Sequence, residues 1–476
     1  MMARSGTHRK LRVPSSAASR NREPMSHSDF LRSRSVRVTA SPIGKVIRAA
    51  GGVSAMAITG QLILVATIPI LARLYSPADF GLFTIYLSAV NILGAVAALR
   101  FEPSLYGVKE AGQTYVTVKL ILLAVLVTGV LTFAAGQLLL SVAPPQLRHL
   151  VWLVPIGMSS AALVETMNCW ALRAGLLRDF AIGRLILPAT MALLQLVFGF
   201  ARLGGEAMVH AHILSQFVFL AFLGFRILNW GDVRGIYRAP WNSVFDKARR
   251  EYKFPLFDIP ATLGSYAINN LPAILVGSLF GAAFAGYLGV AARLVTGPIV
   301  LIATPLSNVF VAEANKNSNH GHMLAIARGL LILAAGLTAF PILVLGLAAP
   351  YLVVPVLGQA WMPTAQIITA LAFMGAVQAL STPLSEVPAL LRRQEVRLAV
   401  DAARMVLVFG PLLAGAKAGW EPIDVIYFMA AGGTVGFALK TAASLYLLKR
   451  DAEPARATLP SLYTIARKEH HEAPIE

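Results

Sequence analysis

Apolar residues in this chain come in twelve long runs separated by short polar stretches. The runs fall near 46–72, 80–99, 115–141, 150–172, 182–203, 207–228, 256–280, 284–312, 324–349, 363–390, 396–416 and 424–448. A helix needs roughly 20 apolar residues to cross the hydrocarbon core of a bilayer. Only helices and closed barrels satisfy their backbone polar groups there. The runs are continuous and do not alternate, which selects helices. The pattern predicts an all-α, polytopic membrane protein with twelve transmembrane helices.

Composition sharpens this picture. Hydrophobic residues make up 57% and charged residues 13% of the 476, with mean hydropathy +0.67. Soluble domains carry about 25% charged residues, so the expectation is that no separate soluble domain is present. The single cysteine, Cys169, lies in the fourth run. It excludes an internal disulfide and a multi-cysteine metal site and reads as small apolar filler.

The net charge of +18 is first a matter of topology, through the excess of Lys and Arg in cytoplasmic loops. With a cytoplasmic N-terminus, the outer loops hold only Arg73, Arg148, Arg202 and Lys417, while Lys119, Arg293, Arg404 and Lys440 lie within runs. The remaining basic residues fall on the inner side. This places both termini in the cytoplasm and calls for no nucleic-acid partner.

Residues 1–45 form a basic, Ser- and Arg-rich tail without hydrophobic periodicity and are expected to be disordered. They do not read as a signal peptide, and Met25 is an alternative start. The longest internal polar stretch, 229–255, carries Arg234, Arg238, Lys247, Arg249, Arg250 and Lys253. It follows the sixth run and marks a boundary between an N-terminal six-helix bundle (46–228) and a C-terminal one (256–448). Six spans return the chain to its starting side, so the two halves share one orientation. A weak repeat agrees: Ile70-Leu71, Tyr75 and Gly81 align with Ile274-Leu275, Phe280 and Gly286. The end, 449–476, is polar and is expected to be a loosely ordered cytoplasmic tail. Its Lys468-Glu469-His470-His471-Glu472 cluster reads as a solvated end.

The longest outer loop expected, 350–362, contains no charge, so no loop presents catalytic side chains. There is no Gly-x-x-x-x-Gly-Lys-Ser/Thr and no His-Glu-x-x-His. The reading is a non-enzyme, with no catalytic residue, metal or cofactor. Attention moves to polar residues inside the spans, which are expensive there. Lys119, Arg184 and Asp258 lie near inner ends and can snorkel. Arg293 lies nine residues into the eighth run, roughly 14 Å deep at 1.5 Å per residue. A guanidinium at that depth needs a wet cavity or a partner. Asp401 and Arg404, three apart, read as a pair on one helix face. Glu102, Glu313 and Glu386 sit near inner ends and could line a cytoplasmic mouth. The seventh run holds Pro255, Pro260 and Pro272 with Asn269 and Asn270, which suggests a gating hinge or a broken helix lining a cavity. Gly277-x-x-x-Gly281 and Gly432-x-x-x-Gly436 read as close helix contacts.

Two stretches carry a resemblance. Leu71-Ala-Arg-Leu-Tyr-Ser-Pro-Ala-Asp-Phe-Gly-Leu-Phe83, continuing to Leu99-Arg100-Phe101-Glu102, is similar to the first helical hairpin of Wzx-type oligosaccharide flippases. These belong to the multidrug/oligosaccharidyl-lipid/polysaccharide (MOP) exporter superfamily. Tyr252 to Pro272, then Phe280 to Tyr287 and Ala292-Arg293, resembles that family's seventh and eighth spans. The resemblance implies two six-helix bundles around a central cavity that opens alternately to each side. It implies a polyprenyl-pyrophosphate-linked oligosaccharide as substrate, moved across the bacterial cytoplasmic (inner) membrane for O-antigen, capsule or exopolysaccharide synthesis. The substrate-binding candidates are Arg293, Arg100, Glu102, Asn269, Asn270 and Asp258, since a pyrophosphate calls for basic groups and a sugar for a polar path. Membrane lipids, a polysaccharide polymerase and its chain-length machinery are the implied partners. The competing readings are a multidrug exporter of the same superfamily and a membrane glycan polymerase or ligase.

Overall fold

The computed structural model describes residues 42–108, 110–139, 148–316, 320–391 and 393–468. The basic tail expected to be disordered lies almost wholly outside them, as does most of the 468–472 cluster. Contacts divide the chain after Gly51. Of the first unit only a helical stretch from Pro42 is described, and the second unit, 52–476, holds everything below.

Among the described residues, twelve helices are long and apolar enough to cross a membrane, and no residue is in a strand. In chain order the helices are α1 (Pro42–Leu74), α2 (Pro77–Ala97), α3 (Ala111–Leu139), α4 (Arg148–Arg173), α5 (Leu177–Phe200) and α6 (Glu206–Ile227). Two short helices follow, α7 (Trp230–Arg238) and α8 (Trp241–Arg250). Then come α9 (Ile259–Phe280), α10 (Ala282–Pro298), α11 (Thr304–Lys316), α12 (His320–Ala334), α13 (Phe340–Leu357), α14 (Met362–Ser381), α15 (Val387–Leu390), α16 (Gln394–Lys417) and α17 (Pro422–Lys468). A π turn at Ile299–Ala303 joins α10 to α11, and one at Ala335–Ala339 joins α12 to α13, so each pair forms one span. The protein is a multi-pass membrane protein. Its turns at Ser76, Gly281 and Gly358 lie at one end, here the turn end; α7 and α8 lie at the other, the link end.

Three expectations need correction. The uncharged 350–362 stretch is no loop for most of its length, because α13 continues to Leu357. Pro350 and Pro355 look like breakers, but Ala349, Val353 and Leu357 form a buried stripe that holds the helix together through them. The 449–476 tail is helical to Lys468, in keeping with the helix propensity of its Ala, Leu, Arg and Lys residues. The seventh span is not broken at Asn269–Pro272: α9 runs through them and is entered by a π turn at Phe254–Asp258.

The short motif after the first span has a local cause. Ser76 caps α2: its hydroxyl accepts from the Asp79 backbone N–H, and the Asp79 carboxylate accepts from the Ser76 N–H at 2.9 Å. This is a capping box, with Pro77 at the first helical position where its missing N–H costs nothing. Phe80 is buried, and at Gly81 any Cβ would run into the carbonyl oxygen of Ala282. Gly286 is the mirror case, since its Cβ would strike the carbonyl of Pro77. The two helix starts therefore cross reciprocally, each glycine seating the first residue of the other helix. The aligned repeat positions Gly81 and Gly286 are this contact.

Within the N-terminal half, α2, α4 and α6 pack together, with α3 against α4 and α5 against α6. Within the C-terminal half, α14 lies against α10, α13 and α17, and α16 packs on α17. The halves meet where α2 lies against α9 and α10. The largest apolar cluster, which includes Phe80, Phe83, Val90, Val276, Val290 and Trp361, fills that junction.

Candidate functional site

At the turn end the junction is sealed. The Trp361 indole N–H donates to the Ala72 carbonyl at 2.8 Å, and its ring meets Phe80 and Tyr287 edge-on. Trp361 is 1% exposed. Arg73 reaches across to the Pro355 carbonyl at 2.8 Å. Deeper, the Asn91 amide donates to Asn270 at 3.0 Å.

Arg293 lies one helical stretch below this seal. It is eleven residues into α10, about 17 Å along the axis at 1.5 Å per residue, which is near mid-bilayer. Its guanidinium stands 4.9 Å over the Phe83 ring of α2. Phe83 in turn meets the imidazole of His212 on α6, at 6.2 Å between centroids. The Tyr86 hydroxyl lies 3.3 Å from His212 Nδ1, and the Gln216 amide nitrogen 3.0 Å from Nε2. The Gln216 carbonyl oxygen is buried without a hydrogen-bond partner among the described residues. Arg293 is half-buried, and no hydrogen bond or ion pair holds it among those residues. The result is a cation, an imidazole, a phenol and an amide gathered where α2, α6 and α10 converge. Such a group can receive an anion and hydrogen-bond to hydroxyls.

The other candidate residues do not gather here. The chain takes two consecutive left-handed residues at Leu99 and Arg100 (φ 51° and 60°), unusual for side chains with a Cβ. They turn it into the 3-10 helix Glu102–Gly107 at the link end. Glu102 is 3% exposed there, with one carboxylate oxygen unpartnered among the described residues. Burial pushes its carboxyl above the ordinary range, partly offset by the Arg100 charge and reinforced by Glu165. Buried, it does not line a mouth. Glu386 lies 3.6 Å from Arg397.

Asn269 accepts a hydrogen bond from Arg404 at 2.8 Å, and Asn270 faces Asn91. Arg404 forms no ion pair with Asp401 among the described residues, contrary to the expected helix-face pair. The Asn269 amide and the Phe437 ring, 3.9 Å away, draw it across to other helices instead. Asp258 ends the π turn, half-buried. Pro255 lies inside that turn, Pro260 in the first turn of α9, and Pro272 in its buried interior. Lys119 reaches the end of α7, donating to the Tyr237 and Ala239 carbonyls at 3.0 and 2.7 Å. Among the described residues no cluster of His, Cys, Asp and Glu could hold a metal.

His212 and Gln216 escaped the sequence reading. Their signal was a polar pair one turn apart inside an apolar run, facing one way.

Residues 70–366 match the family described as polysaccharide biosynthesis protein. The chain belongs to that family. Teichuronic acid biosynthesis protein TuaB of Bacillus subtilis (strain 168) is 24% identical over 251 residues, 50% of each chain. The chain thus spans about half the length of the curated relative it matches. Its fold is that of MOP superfamily transporters. A multidrug resistance MATE family transporter in an inward-facing conformation aligns with TM-score 0.60 and 13% identity, covering 83% of this chain and 96% of that one. The lipid II flippase MurJ, in an inward closed conformation, gives 0.62 and 12%, covering 88% and 93%. A MOP superfamily transporter from Pyrococcus furiosus gives 0.52 and 14%, covering 84% and 96%. In this family member the polar cluster lies on three different spans, at the seam between the two halves.

Proposed function

We propose that this protein carries a polyprenyl-pyrophosphate-linked oligosaccharide across the bacterial cytoplasmic membrane by alternating access, leaving it chemically unchanged. The observation that carries this reading is Arg293, a cation near mid-bilayer that stands over the Phe83 ring and has no anionic partner among the described residues. A lone guanidinium there is stabilised by water and by an anionic visitor. The pyrophosphate meets Arg293, while His212, Gln216 and Tyr86 offer hydrogen bonds to phosphate or sugar oxygens. The polyprenyl chain stays in lipid. No described carboxylate belongs to the cluster, which argues against a site built for cationic drugs.

The seal around Trp361 closes the turn end, read here as the outer side, so the substrate enters from the link end. The halves 46–228 and 256–448 move against each other, and the stretch 229–255 connects them in the cytoplasm, where both termini lie. The product feeds a polymerase and its chain-length machinery. In a deletion strain, the lipid-linked glycan should accumulate on the inner leaflet, and the wild-type gene should clear it. Normal export with no accumulation would overturn the reading.

A further inference from the structure

The two short helices between the halves present a face that the protein leaves uncovered. Their other face is firmly docked on α3. The Tyr115 hydroxyl donates to Asp232 at 2.8 Å, and Gly235 leaves room for the Tyr115 ring. Ile236 and the fully buried Val244 join the apolar cluster of α3 and α4. Lys119 pins the corner, accepted by the Tyr237 and Ala239 carbonyls at the end of α7 and lying 4.2 Å over the Trp241 ring. This is the basic residue that helix C-terminal carbonyls favour.

Outward point Trp230, Tyr237, Trp241 and Phe245, which are 72%, 84%, 52% and 54% exposed. Among them, also exposed, stand Arg234, Arg238, Arg249 and Arg250. None of these arginines has an ion pair among the described residues. Two of the nearby acids are engaged elsewhere: Asp232 caps α7 and binds Tyr115, and Glu251 pairs with Lys247 at 2.8 Å. The face is too apolar to rest in water and too charged to enter hydrocarbon. Amphipathic helices with aromatic rings on a basic background lie in the headgroup region of a bilayer, and unpaired arginines there meet the negative leaflet.

We propose that α7 and α8 lie along the membrane surface and bind anionic phospholipid headgroups, with the aromatic rings at the headgroup–acyl boundary and the four arginines on lipid phosphates. The link between the halves is then a lipid-anchored element rather than a solvated connector.

The test uses the full-length protein in vesicles of phosphatidylcholine and phosphatidylglycerol, with no lipid-linked oligosaccharide present. A fluorophore is attached at Val233→Cys, on the exposed face; the native Cys169 is buried. Bromine atoms on the acyl chains of one lipid or the other then report which surrounds the label. Brominated phosphatidylglycerol should quench several-fold more than brominated phosphatidylcholine at equal mole fraction. High salt should shrink the difference. A label at Ile332→Cys, exposed on α12, should respond equally to both. Replacing the four arginines with Gln should equalise quenching at Val233→Cys, and replacing them with Lys should preserve the preference. Equal quenching with the arginines intact would overturn the proposal, as would a preference unmoved by both salt and the Gln variant. Absence of quenching by either lipid would also overturn it, pointing to water or a protein partner on this face.

Discussion

A charged side chain near mid-bilayer persists only where something compensates it, and at Arg293 the compensation is an aromatic face rather than a carboxylate. Arg293→Ala should therefore lower flipping by about tenfold or more, since a hydrogen bond to a charged group contributes about 1.5–3 kcal/mol. Protein levels in the membrane should stay near normal. Arg293→Lys should keep part of the activity, because charge survives and bidentate geometry does not. An alanine variant that fails to accumulate would make Arg293 structural. Glu102 gives a contrasting prediction. Its buried carboxyl holds a proton to higher pH than in the unfolded chain. Its contribution to stability is therefore present below the ordinary glutamate range and lost as pH rises through the folded value. Glu102→Gln removes that titration. Its thermal midpoint should exceed wild type at pH 8, and the gap should narrow at pH 5. A gap that widens on acidification would contradict the burial account.

Between elements, the reciprocal crossing of α2 and α10 at Gly81 and Gly286 makes the seal at the turn end. Leucine at either position overpacks a backbone contact, which costs about 1–3 kcal/mol and should force the helix starts apart. Ala72→Cys, beneath the Trp361 indole, should resist an impermeant thiol reagent from outside and become several-fold more reactive when combined with Gly81→Leu. Unchanged labelling would mean that the seal lies elsewhere. These elements also show what one sequence can tell. Span positions were legible because hydrophobic length alone decides them. The expected loop at 350–362 placed the end of the ninth span too early, because a buried stripe carries the helix on through Pro350 and Pro355 to Leu357. Helix rotation was not legible at all. Nothing in Asp401-x-x-Arg404 reveals that Asn269 and Phe437 wait on other helices. Likewise Glu102 sits beneath two left-handed residues that no pattern announces. His212 was missed because a half-buried histidine in an apolar run looks like any other until α2 and α10 bring Tyr86 and Arg293 beside it.

For the whole molecule, the sequence suggests two halves through a charge boundary and a faint repeat, and the repeat's glycines meet in a contact: Gly81 lies against Ala282 and Gly286 against Pro77. The asymmetry of Lys and Arg predicts cytoplasmic termini. Reporter fusions at residue 240 and after residue 450 should both signal cytoplasm, and a periplasmic signal from either would overturn the layout. In the proposed function, a lipid-linked oligosaccharide crosses unchanged through the seam that holds Arg293. The most direct measurement places purified protein in liposomes with a labelled polyprenyl-pyrophosphate oligosaccharide on one leaflet. The label should appear on the other leaflet with its mass unaltered, and the Arg293→Ala protein should move little of it. Extension or transfer of the glycan by the protein alone, or no movement by a folded wild-type protein, would contradict it.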